Sequence, residues 1–211
     1  MRWMLPFLAR LAALAFLLAA GAAHAAPLAG AERTAALAVA NKALNAPGPL
    51  RGRFVQIGPD GKAADGSFYL QRPGKVRFEY DDPYPLRIVA DGSIVSIEDR
   101  ALKTVNRAPL KTTPLFLVLK RDVNLERDAK IKSVSSEGGA IAVTLRDKAN
   151  ESDGELSLIF DKASGQLRQW RVTDAAGNVT LTALQTIEHV AFLDPKLFAT
   201  MAPKAGPRSQ P

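Results

Sequence analysis

The chain contains no cysteine and only two histidines in 211 residues. Without cysteine there is no disulfide framework, no thiolate metal site and no thiol nucleophile. No lipid can be attached at a cysteine either. One histidine, His24, falls in the first 25 residues and leaves His189 alone in the rest, so Cys–His dyads and histidine-rich metal sites are excluded. His189 sits near a strand end and reads as structural. There is no G-x-S-x-G elbow, Walker loop, dinucleotide fingerprint or H-E-x-x-H motif. Gly58-Pro-Asp-Gly-Lys62 has the wrong spacing for a phosphate loop and fits a hairpin turn. The acidic stretch from Asp147 to Glu155 lacks calcium-loop spacing and reads as a solvated turn. Asp81-Asp82 lies in a proline turn, which explains it without catalysis. No metal, no cofactor and no enzymatic activity are expected.

What is present is ordinary for a folded domain: 47% hydrophobic and 23% charged residues exclude wholesale disorder. Residues 1–25 read as a secretory signal peptide. Arg2 and Arg10 supply the positive flank, 11–20 form a short apolar run, and Ala23-His24-Ala25 is an A-x-A cleavage site. The run is short for a spanning helix, and no second segment approaches one. An exported, periplasmic protein is therefore expected. Loss of two arginines lowers the formal charge from +7 to +5. The remaining basic residues are scattered, without a basic stripe interleaved with stacking aromatics, so a nucleic-acid partner is not expected. The scatter is either a solvated surface or a weak attraction to anionic headgroups or an acidic partner face.

Residues 28–45 are predicted helical, with Leu37, Ala40 and Leu44 on one face and Pro47-Gly48-Pro49 as the stop. Period-two patterning then predicts eleven strands: 50–57, 62–71, 75–80, 86–91, 93–98, 102–106, 129–136, 140–147, 155–161, 166–173 and 178–188. Glycine, proline and aspartate turns separate them, and the short gaps imply an antiparallel meander. One apolar face per strand implies a sheet covered on one side. Between the sixth and seventh strands, Thr113-Pro-Leu-Phe-Leu-Val-Leu-Lys-Arg121 reads as a helix with Thr113 as N-cap and Pro114 in first position. It is apolar nearly all round, so it is either a buried core helix or a lid over the mouth of a curved sheet. Asp194–Phe198 reads as a short helical turn that could plug a sheet end. Residues 26–198 are expected to form one domain, and 199–211 a disordered tail.

Gly66-Ser-Phe-Tyr-Leu-Gln-Arg-Pro-Gly74-Lys-Val-Arg-Phe-Glu-Tyr80-Asp-Asp-Pro83, followed by Ile88-Val-Ala-Asp-Gly92, resembles the outer-membrane lipoprotein carrier (LolA) family. That family carries R-P-G, an F-R-W-E-Y strand, a proline turn and a V-x-D-G turn in this order. Phe54-Val-Gln56 is similar to its first strand, and Thr113-Pro-Leu to the start of its apolar helix. Phe78 replaces the usual tryptophan, and Ser93-Ile-Val-Ser-Ile-Glu98 lacks aromatics often seen there.

The resemblance implies a mainly β fold: an unclosed antiparallel β-barrel of eleven strands covered by an α-helical lid over a hydrophobic cavity. It also implies that the chain shields lipoprotein acyl chains in transit from the inner to the outer membrane. Loading would come from an inner-membrane ABC-type lipoprotein-releasing transporter, and delivery would be to an outer-membrane acceptor, with the carrier a monomer. In the family the arginine of R-P latches the lid by donating to lid carbonyls. That position is Arg72, which could equally be a turn residue ahead of Pro73. The implied cavity lining is Phe54, Phe68, Leu70, Phe78, Tyr80, Leu115, Phe116, Leu117 and Leu119, each of which could instead be core packing. The alternatives are a periplasmic sensor on the same barrel, or a carrier of another amphiphile. Sensors of this type usually add a C-terminal domain, and about a dozen residues follow Phe198 here.

Overall fold

Turn chemistry builds the sheet. The computed structural model describes residues 26–148 and 154–201. The signal-peptide reading of 1–25, most of the acidic turn and the tail from 202 lie outside them. Helix α1, Gly30–Leu44, is alanine-rich, with Glu32 in its first turn and Lys42 in its last, as the helix dipole favours. Eleven strands follow: β1 Leu50–Ile57, β2 Ala63–Gln71, β3 Lys75–Tyr80, β4 Leu86–Asp91, β5 Ile94–Asp99, β6 Thr104–Pro109, β7 Ala129–Glu137, β8 Ala140–Asp147, β9 Glu155–Asp161, β10 Leu167–Thr173 and β11 Val179–His189. All pair antiparallel in the order β6-β5-β4-β3-β2-β1-β11-β10-β9-β8-β7. Two meanders thus join through β1 and β11, and β6 and β7 are left as edges of an unclosed barrel. Bulges at Arg53/Phe54, Ile131/Ser133 and Leu167/Gln169 bend the strands.

The inner face of this sheet carries two apolar cores. In the first, α1 sets Leu37, Ala40 and Leu44 on Val143, Leu145, Leu158 and Phe160 of β8 and β9. In the second, β1–β5 gather Phe54, Phe68, Val76, Phe78 and Tyr80 beneath a short helix, α2, Leu115–Leu119. Trp170 and Val118 pack against both.

Three local expectations change. Thr113 does not cap α2: its hydroxyl donates back to Leu110 O at 2.8 Å, and Pro114 occupies the N-cap. A 3-10 turn at Leu110–Thr112 leads into α2, and a further helix, α3, Leu125–Asp128, follows it. Asn124 caps α3 by accepting from Arg127 N at 2.9 Å, and Asp128 accepts from Asn124 N at 2.8 Å. The Pro195–Phe198 turn does not plug a sheet end; it crosses the outer face of β3 and β4, burying Phe198. Order continues to Met201, because Glu98 accepts from Met201 N at 2.6 Å and Arg107 binds Thr200 and Met201 O. Glu98 is itself wholly buried and paired with Arg87, which meets its charge.

The R-P-G and D-G turns have a shared physical basis. Gly74 lies at φ +77°, and a Cβ there would sit 2.7 Å from Gly92 Cα. Asp91 holds the second turn by accepting from Ser93 N and Ile94 N at 2.8 and 2.9 Å. The β2–β3 and β4–β5 turns therefore touch through bare backbone. Gly74→Ala should destabilise the fold by about 1–3 kcal/mol in urea unfolding, from positive-φ strain and this clash. An unchanged midpoint would contradict the role given to Gly74.

Candidate functional site

Between the two cores lies a cavity of about 630 Å³. One wall is Phe68 and Leu70 of β2 with Val76 and Phe78 of β3. The opposite wall is Leu156 and Leu158 of β9, Trp170 and Val172 of β10, and Leu184 of β11. Alternation along each strand turns these residues inward. Val39 and Leu44 of α1, and Leu115, Val118 and Leu119 of α2, cover it.

Helical geometry decides which part of α2 faces inward. Residues i, i+3 and i+4 share a face, so Leu115, Val118 and Leu119 point to the cavity. Phe116 falls on the outer side and is 37% exposed. Leu117 turns into the core under α1 instead. Phe54 is also displaced from the expected lining. Its ring sits over Gly66, where a Cβ would come within 2.5 Å of it, and Phe78 and Tyr80 cover it edge-on at 5.2 Å each. It is core, wholly buried behind the cavity wall. Phe68, Leu70, Phe78, Tyr80, Leu115 and Leu119 do lie in the walls. Val118 follows from Leu115 by the same helical spacing. Trp170, Leu158 and Leu184 belong to strands whose apolar alternation is visible, but their distance from the R-P-G segment hides their convergence with it.

Two hydrogen-bonded polar groups lie at opposite ends of the apolar lining. At the far end, Tyr80 Oη donates to Gln56 Oε1 at 2.7 Å, and Gln56 Nε2 donates to Thr182 Oγ1 at 3.1 Å. Burial pushes the Tyr80 phenol up to about 12. At the near end, Arg72 Nε donates to Val118 O at 2.9 Å, and Gly74 N donates to Leu119 O at 2.6 Å. The β2–β3 turn thus holds the last turn of α2 by two bonds to carbonyls that a helix end leaves open. Arg72 Nη1 is buried without a partner. Desolvation lowers the guanidinium to about 10, so it remains a cation at neutral pH.

Ion pairs fix the exit from α2. Asp128 accepts from Lys120 at 2.7 Å and from Arg127 at 2.8 Å, which together hold its carboxyl well below the usual range despite its burial. Asn45 ties α1 to the same segment, donating to Val123 O at 2.7 Å and accepting from Val123 N at 2.9 Å. No group of three or more potential metal ligands occurs among the described residues.

A family model described as "Outer membrane lipoprotein carrier protein LolA" matches residues 49–201. An outer-membrane lipoprotein carrier protein of Methylococcus capsulatus is 33% identical over 161 residues, covering 73% of this chain and 74% of the relative. One of Nitrosomonas europaea is 32% identical over 147 residues, covering 68% and 71%. Among solved structures, a DUF1329 family protein of Desulfovibrio piger aligns with a TM-score of 0.50 over 79% of this chain and 97% of that one. At 10% identity it shows a shared fold alone.

An absorbance titration should show one of the three tyrosines staying neutral until about pH 12. Tyr80→Phe should remove that late step. A single transition near pH 10 in the wild-type protein would contradict the burial of the phenol.

Proposed function

The chain belongs to the outer membrane lipoprotein carrier protein LolA family, and from that membership we propose that its cavity carries the acyl chains of lipoproteins across the periplasm, from the inner to the outer membrane. The observation that carries this reading is the cavity itself. A partly open pocket of about 630 Å³ leaves its apolar faces facing water, and an apolar occupant would remove that unfavourable exposure. Evolved interiors close such gaps by packing. A gap this large, walled by leucine, phenylalanine and tryptophan, is suited to an occupant that comes and goes.

The energetics define the partners. Burying an acyl chain is worth about 0.8 kcal/mol per CH₂, or ~12 kcal/mol for fifteen carbons. A soluble cavity makes transfer from a bilayer nearly neutral and does not drive it. An energised partner at the inner membrane is therefore needed for loading, and family membership points to an ABC-type transporter for that step and an outer-membrane acceptor for delivery. The signal-peptide pattern at 1–25 supports the periplasm as the site of action.

Arg72 is the lid latch in this reading. Its bond to Val118 O is charge-assisted, and such bonds contribute about 1.5–3 kcal/mol. The desolvated guanidinium with an empty Nη1 offsets part of that gain. A closed state only slightly favoured is what a lid needs if cargo is to enter and leave. α2 moves as the lid, with Leu115, Val118 and Leu119 meeting the acyl chain and Phe68, Leu70, Phe78 and Tyr80 forming the opposite wall. Phe54 supports that wall from behind.

Incubating the purified protein with inner-membrane vesicles, the transporter and ATP should release lipoprotein into the soluble fraction. Absence of release would sink the carrier reading. In the same assay Arg72→Leu should load normally but slow transfer to acceptor membranes several-fold, because an apolar side chain replaces an openable polar contact. Transfer at the wild-type rate by the folded variant would reject the latch.

A further inference from the structure

The formal charges around the cavity have one sign. Lys42, Lys162 and Arg72 line it together with the imidazole of His189, and no aspartate or glutamate among the described residues does. Strand register brings Arg72, His189 and Lys162 to one end. Leu50 pairs with Leu70 on one side and His189 on the other. The turn holding Arg72 follows Leu70 directly. Across β11, Gln169 pairs with Ala183 and the β10 strand runs back towards the Lys162–Gly165 turn at the His189 end. Lys42 joins them from the last turn of α1, whose Val39 packs beside Gly165. The opposite end holds the neutral Tyr80–Gln56–Thr182 chain.

These cations are not spent on carboxylates. Lys42, Lys162 and Arg72 form no salt bridge among the described residues, whereas Arg51, Arg53, Arg87, Lys120 and Arg127 do. Asp161, the acid nearest Lys162 in sequence, accepts from Ser164 N and Oγ at 2.7 and 2.5 Å and does not line the cavity. Arg72 presents a buried Nη1 with no acceptor. A guanidinium nitrogen without an acceptor and two exposed lysines, all lining one end of an apolar pocket, are complementary to a phosphate or carboxylate attached to a hydrocarbon chain.

We propose that the cavity also takes an anionic amphiphile, with its hydrocarbon among Phe68, Phe78 and Trp170 and its phosphate or carboxylate headgroup at the Lys42–Lys162–Arg72 rim. This rests on the carrier reading of the cavity and adds a headgroup class to it. The acyl chains of a lipoprotein bring no anion of their own, so the rim extends the cargo beyond them.

The test is displacement of an apolar fluorophore from the purified protein by three twelve-carbon probes: dodecanoate, dodecyl phosphate and dodecanol. At least one anion should bind five-fold or more tighter than the alcohol. Which anion is tighter distinguishes a fatty-acid source from a phospholipid-type headgroup. In the Lys42→Ala/Lys162→Ala variant the anion-to-alcohol ratio should fall towards one. Equal binding of all three probes to the wild type overturns the anion site while leaving the apolar cavity standing. A ratio unchanged in the double variant also overturns it. Failure of every probe, the alcohol included, overturns the cavity reading together with the headgroup.

Discussion

One sheet here must serve two apolar cores that do not merge. α1 covers β7–β9, and the other core collects on β1–β5 beneath α2. Trp170 and Val118 touch both, and the space between them stays open. Each core is satisfied locally: Leu37 and Leu44 are sealed by Phe160 and Leu145, and Phe54 by Phe78 and Tyr80. Phe68 and Phe78 of one core and Leu156 and Leu158 of the other also face the cavity, so the side chains that hold each core shape its walls. This separation is why a protein with ordinary apolar content can hold a large void without collapsing into it.

The second constraint is the contact between the β2–β3 turn and α2. It is made of backbone and one guanidinium, not of packed hydrocarbon. Gly74 must be bare to lie against Gly92, and its N–H then reaches Leu119 O. Arg72, next but one in sequence, reaches Val118 O. Leu117 and Leu119 add packing in the two cores to these directional bonds, and ion pairs at Asp128 and the Asn45–Val123 bonds fix the chain just beyond α2.

Much of this was legible before any coordinates. The eleven strands follow from aspartate–glycine and proline turns spaced between alternating residues, because those signals are local. The direction of residues in α2 was not legible: five consecutive apolar side chains leave the inward face undefined until neighbours on both sides are known. The family resemblance left Phe54 as either lining or core, and a bulge beside it and the absent side chain of Gly66 let its ring sink behind the wall. The outer strap of Leu193–Met201 depends on Arg77, Glu98 and Arg107, about a hundred residues away, and no local pattern announces it. Family resemblance placed Arg72 at the cover; the sequence spacing alone did not.

The central claim is that hydrocarbon occupies the space between the two cores. Trp170 lies on that wall and is the sole tryptophan outside residues 1–25. Binding of a lipid brominated along its acyl chain to the processed protein reads the claim directly. Strong quenching of Trp170 emission, absent with the unbrominated lipid, is the predicted result. A lipid that binds yet leaves Trp170 unquenched would place the hydrocarbon elsewhere and contradict the account.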